Sequence, residues 1–239
     1  MTKTTTDATT NEPVTVPLRS PSYFIGCDLG QASDFTALVV LEARYVDTGR
    51  TETSIPGPVW YDRGRKIGGY VDVSRVYENH YAVRHLERLA KGTPYPKQVA
   101  LLKGLFDNLE ATTRKAPTLV VDATGVGRPV LDMIRAIGLY PTAVTITAGD
   151  KVSQEDYYTY RVPKRDLVSV AQILLQSDRL KIAKALPDAQ TLVDELLAFK
   201  VNINARGHDS YGNDVGSWRE NPHDDLVLAT SLAAWFAER

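Results

Sequence analysis

Apolar and polar positions alternate along this chain in two rhythms, and the rhythm changes near residue 90. Before that point the apolar runs are short and rich in β-branched and aromatic residues. Residues 23–29 and 35–45 flank a Gly/Ser/Asp tip, which predicts an antiparallel hairpin. Residues 47–57 form a turn-rich excursion. Residues 59–61 and 69–76 read as strands around the polar tip DRGRKIGG, and residues 82–88, which alternate weakly, as a third strand of the main sheet or a helix. Beyond the Pro-rich KGTPYP the spacing becomes helical, with Val99, Leu102, Leu105, Phe106 and Leu109 on one stripe of residues 98–114. TLVVD is a short apolar run of the kind buried on both faces of a parallel sheet. A helix over 127–137 and a strand over 142–147 follow, and this β-α-β-α-β order predicts a parallel half. Pro163 opens an amphipathic helix with Leu167, Val168, Ala171, Leu174 and Leu175 on one face. Asp188 caps another, carrying Leu192, Leu196 and Phe199. NARGHDSYGNDVGSWRE is a long polar loop with room for two short strands. Asn221-Pro222 then starts a terminal helix with Leu226, Ala229, Leu232 and Ala233 facing inward. The expected fold is α/β, a mixed sheet that is antiparallel first and parallel second, with helices on both faces.

Composition narrows the class. A chain of 239 residues with 43% hydrophobic residues can build one sizeable core. The net charge of −1 supplies no global basic field, which counts against a tight stand-alone nucleic-acid binder. Cys27 is the one cysteine, so an intramolecular disulfide and a Cys-based zinc site are excluded and a reducing compartment fits. Residues 1–21 are polar and Thr-rich, without the apolar core of a signal peptide, and read as a disordered tail. The expectation is therefore a tail over 1–21, a single domain over 22–239, and a cytoplasmic protein.

The acids that invite chemistry stand where elements begin or stop. Asp28 ends the first strand, Asp122 ends TLVVD, and Asp224 and Asp225 open the terminal helix in NPHDDLVLA. Sites in open α/β sheets gather at the carboxyl ends of parallel strands. If the strands ending in Asp28 and Asp122 are neighbours, the two carboxylates lie side by side. Converging carboxylates carry a large electrostatic cost that a hard divalent cation, Mg²⁺ or Mn²⁺, relieves. Two such ions about 4 Å apart serve phosphodiester hydrolysis. Each acid also has a plainer reading. Asp28 suits an Asx turn and Asp122 a cap of the following turn. Asp224, with Asn221 as N-cap, would sit at the third helical position, where free amides welcome a carboxylate. Asp225 lacks that explanation and is the preferred ligand, with Asp224 as a second. Asp34 reads first as a turn residue and second as part of the metal's surroundings.

Other features add less. The glycines of DATGVGRP lack the Gly-Lys-Ser/Thr of a Walker A loop; Thr124 is expected to cap the helix that follows. Arg161, Lys164 and Arg165 in YRVPKR, and Arg63, Arg65 and Lys66 in DRGRK, are candidate phosphate contacts or solvated faces. Tyr157, Tyr158 and Tyr160 stand beside the first of these clusters. His208 and His223 read as hydrogen-bonding residues rather than ligands.

Four segments in this order, IGCDLGQASDFTALVVLE, VVDATGVGRPVLDMI, VPKRDLVSVAQILLQSDRLKIA and HDDLVLATSLAAW, resemble the C-terminal nuclease domain of bacteriophage terminase large subunits. The likeness spans residues 22–236, and DATGVG and HDDLVLA are its most specific parts. It implies an RNase H-like fold with a five-stranded mixed sheet. It also implies a metal-dependent endonuclease that cuts concatemeric double-stranded viral DNA during packaging, using acids and two Mg²⁺ or Mn²⁺ ions. By the resemblance, Asp28 matches the first-strand acid, Asp122 the second-strand acid and Asp224/Asp225 the helix pair. The implied partners are double-stranded DNA and a packaging assembly of ATPase motor, small terminase and portal. Full large subunits carry the motor ahead of this domain, whereas this chain starts almost directly at the nuclease, so the expectation is cleavage without a motor. Two other readings stand beside it: a non-catalytic DNA-docking module, and an actin/Hsp70-like ATPase fragment suggested by DLGQASDFT.

Overall fold

A computed structural model describes residues 2–6, 13–17, 19–30, 34–54, 60–67, 72–125, 127–198, 201–203, 209–211 and 224–239. The strands, in chain order, are β1 (Thr2–Thr6), β2 (Pro13–Pro17), β3 (Ser22–Asp28), β4 (Thr36–Ser54), β5 (Trp60–Asp62), β6 (Arg65–Ile67), β7 (Asp72–Leu89), β8 (Thr118–Asp122), β9 (Thr142–Thr147), β10 (Ser153–Asp156), β11 (Thr159–Pro163), β12 (Leu180–Ile182), β13 (Val201–Ile203) and β14 (Asp209–Tyr211). The helices are α1 (Tyr95–Thr113), α2 (Gly127–Ala136), α3 (Lys164–Gln176), α4 (Ala189–Ala198) and α5 (Asp225–Ala237). Two units form: Met1–Pro21 with Arg44–His80, and Ser22–Ala43 with Tyr81–Arg239.

In the first unit, β1 and β2 pair antiparallel, Thr2 with Pro17 through Thr6 with Pro13. This ladder lies within residues 1–21, the stretch that composition reads as a tail. The excursion over 47–57 likewise continues as β4 as far as Ser54. Here the Tyr45 and Tyr77 rings stack at 5.1 Å, and the Thr48 hydroxyl donates to the Val76 carbonyl at 2.8 Å. The β5–β6 hairpin turns on Arg63 (φ 49°) and Gly64 (φ 78°). Both central residues have positive φ, the backbone of a type I′ turn, whose twist suits the flanking strands.

The main sheet runs β10-β11-β9-β8-β3-β4-β7-β12. β11, β9, β8 and β3 are mutually parallel, and β4 returns antiparallel to β3. The mixed character is as expected, but the sheet has eight strands rather than five. The additions are β10, β11 and β12, short or polar segments whose alternation is too brief to read in isolation.

Period-two alternation gives the sheet two apolar faces. Ile25 and Cys27 of β3, Leu38 and Val40 of β4, and Leu119 and Val121 of β8 pack with Val99 and Leu102 of α1 and Val130 and Ile134 of α2. Ala37, Val39 and Leu41 face the other way, with Tyr81, Val83, Leu174, Leu192, Leu226 and Ala229. α5 is buried from Asp225 to Trp235, lying against β3 and β8 and beneath α3 and α4. Its apolar residues all round the axis match that enclosure. Gly26 is what lets it approach: a Cβ there would stand 1.9 Å from the Ala229 carbonyl oxygen. Among the described residues, no helix is long and apolar enough to cross a membrane.

Candidate metal and catalytic centre

Parallel pairing of β3 with β8 matches Cys27 to Val121, so the next residues, Asp28 and Asp122, stand side by side at the carboxyl ends of the two strands. α5 packs on both strands and delivers its first residue, Asp225, and its N-cap, Asp224, to the same place. Asp28, Asp122, Asp224 and Asp225 line one cavity of about 310 Å³, with Asp34, Phe35 and Gly125 at its wall. The structure thus brings together the four acids singled out as ligands in the sequence, and Asp34, whose second reading was a place in the metal's surroundings, lines the same cavity. The turn that carries Asp34 is tight: a Cβ at Gly30 would stand 2.2 Å from the Phe35 carbonyl oxygen, while the Gly30 amide donates to the Thr36 hydroxyl at 3.0 Å.

Burial and mutual repulsion push these carboxyls toward their neutral forms. Asp28 is raised well above its ordinary value, first by burial, then by Asp122, Asp225 and Asp224. Asp225, 7% exposed, is raised from 3.8 to about 6, by burial and then by Asp224. Asp122 is also raised by burial, against the opposing effect of its hydrogen bonds from Thr124. Those bonds fix the carboxylate: Asp122 Oδ1 accepts from the Thr124 amide at 2.7 Å and from the Thr124 hydroxyl, whose oxygen in turn accepts from the Ile146 amide at 2.8 Å. Thr124 therefore braces Asp122. The cap of the following turn and the cavity position hold together for Asp122.

The start of α5 differs from the expected geometry. Asp224 is itself the N-cap, and Asn221, Pro222 and His223, like His208, lie outside the described residues. Asp224 makes no capping hydrogen bond with its side chain; its Oδ2 accepts from Lys164 Nζ at 2.7 Å. Lys164, at the first position of α3, is thus a countercharge inside the acid cluster, which the acid motifs themselves do not supply. Sequence reasoning also missed Glu195. It is buried on α4, and its Oε2 accepts from the Leu226 and Val227 amides at 2.9 and 3.1 Å. Burial raises Glu195 from 4.5 to about 7. The available signal was a carboxylate on the stripe formed with Ala189 and Leu192, two residues that the structure buries.

The other basic residues are dispersed. Arg161 pairs with Glu155, and Arg165 with Asp150 and Asp166. Arg63, Arg65 and Lys66 belong to the β5–β6 hairpin of the first unit. Tyr157 and Tyr158 are exposed at the β10–β11 turn, whereas Tyr160 is core, 5.6 Å from the Trp235 ring.

Among the described residues, the ionisable side chains lining the cavity are all carboxylates, oxygen donors that suit a hard divalent cation and suit zinc or copper less. Among the described residues, no three His, Cys, Asp or Glu side chains are drawn together tightly enough to grip an ion as they stand. The mutual repulsion that helps raise Asp28 and Asp225 is what a bound cation would cancel. The residues fit such a cation.

A mixed sheet with acids at the ends of its first strand, a central parallel strand and a covering helix defines an RNase H-like α/β fold. More particularly, the chain has the fold of the large-terminase nuclease domain. It is similar to the large terminase nuclease of thermophilic phage G20c with bound magnesium, at 22% identity and a TM-score of 0.53, covering 93% of this chain and 85% of that one. A second structure of the same phage nuclease gives 22% identity and a TM-score of 0.50, covering 92% and 86%. No family model matches the chain, and no curated protein matches it.

Proposed function

We propose that this chain is a divalent-metal-dependent endonuclease that cuts double-stranded DNA, and that its setting is the cleavage of concatemeric phage DNA during packaging. The observation that carries the proposal is the meeting of Asp28, Asp122, Asp224 and Asp225 in one cavity, on a fold shared with a magnesium-bound large terminase nuclease. Mg²⁺ or Mn²⁺, as a pair of ions, would supply Lewis acidity and a bound water of lowered pKa.

Asp28 and Asp122 would hold the metal from the two strand ends, and Asp225 with Asp224 would complete the set from the helix. Thr124 keeps the Asp122 carboxylate from rotating. Lys164 offsets part of the negative charge and stands beside the cavity for a DNA phosphate. In the reaction, a water oxygen attacks phosphorus and gives up a proton, the bond to the leaving deoxyribose oxygen breaks, and that oxygen takes up a proton. Arg161 and Arg165, with Arg63, Arg65 and Lys66, are assigned to backbone phosphates. The Arg161 and Arg165 ion pairs are exposed, worth about 0–1 kcal/mol each, and yield readily to a phosphate. In a packaging setting, the partners are double-stranded DNA and a motor, small terminase or portal.

Supercoiled plasmid incubated with the full chain and Mn²⁺ tests the reading. We expect nicked and linear products, their loss with EDTA, and their loss in Asp28→Ala and Asp122→Ala proteins that keep the wild-type circular dichroism. No cleavage at any Mg²⁺ or Mn²⁺ concentration would favour a docking module instead. ATP hydrolysis without cleavage would favour an actin-like ATPase.

A further inference from the structure

An Asp at a helix N-cap ordinarily turns its carboxylate onto the amides of the second and third helical residues. In α5 those are Leu226 and Val227, and both donate instead to Glu195 Oε2 of α4, at 2.9 and 3.1 Å. Asp224, at the N-cap, makes no such bond; it lines the cavity, and its Oδ2 accepts from Lys164 Nζ. Glu195 is held for this task. Its Oε1 accepts from Arg88 Nη1 at 3.1 Å, and the Arg88 guanidinium lies over the Phe35 ring of the cavity wall at 4.2 Å. The Arg88 amide donates to Asp188 at 3.2 Å, just ahead of α4. A buried carboxylate on an otherwise apolar stripe is costly unless it is satisfied in this way.

We infer that Glu195 is a positioning residue that takes over the N-terminal cap of α5 and thereby commits the Asp224 carboxylate to the acid cluster. The inference rests on the metal-site reading for its consequence, but the exchange of caps stands without it. With Glu195 truncated, Asp224 swings back to cap its own helix and leaves the cavity.

A double-mutant cycle on the full chain separates the two claims. Without metal, thermal melts of wild type, Glu195→Ala, Asp224→Ala and the double variant are expected to be non-additive. Glu195→Ala costs less when Asp224 is present to replace the cap than in the Asp224→Ala background. Additive shifts would overturn the exchange. With Mn²⁺ and no DNA, titration followed by electron paramagnetic resonance should show Glu195→Ala binding about tenfold more weakly. Glu195→Gln, which keeps an oxygen for the two amides, should bind without that loss and covers the case of an unfolded alanine variant. In the Asp224→Ala background the Glu195→Ala change should cost nothing further in Mn²⁺ affinity. A Glu195→Ala protein with a lowered Tm and unchanged Mn²⁺ affinity would reduce Glu195 to a helix support and overturn the positioning role. A wild type that binds no Mn²⁺ would defeat the metal reading, while the melts would still decide the exchange of caps.

Discussion

Asp225 shows at the scale of one residue what it costs to gather acids before a cation arrives. Its carboxyl titrates near 6 rather than 3.8 because burial and then Asp224 disfavour the charge. Between those values the folded chain keeps a proton that the unfolded chain has released. Stability contributed by the neutral form is therefore present below about pH 4 and is lost as pH rises through about 6. Glu195, raised from 4.5 to about 7, acts with the same sign up to that value. In divalent-free buffer, Asp225→Asn should flatten the fall in Tm between about pH 4 and about pH 6. Melts with an unchanged slope would contradict the burial account. The four acids were legible because each interrupts or ends an apolar pattern. The roles of Lys164 and Glu195 were not, because their partners lie 60 and 31 or 32 residues away.

Between elements, the decisive contact is α5 on β3. It sets Asp225 opposite Asp28, and Gly26 permits it through its bare Cα. Gly26→Ala should destabilise by about 1–3 kcal/mol through overpacking and should weaken Mn²⁺ binding as the helix is pushed from the strand. Gly104→Ala, where a Cβ meets nothing within 4 Å on α1, is the control and should stabilise by about 0.5–1 kcal/mol. Chemical denaturation with calorimetric Mn²⁺ titration checks both; a neutral Gly26→Ala would remove this contact from the account. The strand-helix alternation from TLVVD to β9 was readable because buried parallel strands are continuous apolar runs bounded by turns. The onset of α5 was placed too early: the Asn-Pro pair looked like a start, whereas the helix begins at Asp225 with its cap supplied by another helix.

Across the molecule, the mixed α/β class followed from the change of rhythm near residue 90, and the sheet's neighbour order then puts β3 beside β8. The width of the sheet did not follow. β10 is exposed along its length, β11 was read as a tyrosine cluster beside basic residues, and β12 is three residues long. The central claim is that strand and helix ends converge Asp28, Asp122 and the Asp224/Asp225 pair to hold a divalent ion. Anomalous diffraction from crystals of the full chain soaked in Mn²⁺ tests it most directly. The account expects an anomalous peak in this cavity, with oxygens of Asp28 and Asp122 at about 2.1 Å as in a Mg²⁺-like site. Mn²⁺ bound elsewhere, or a cavity whose acids stay apart at saturating Mn²⁺, would contradict it.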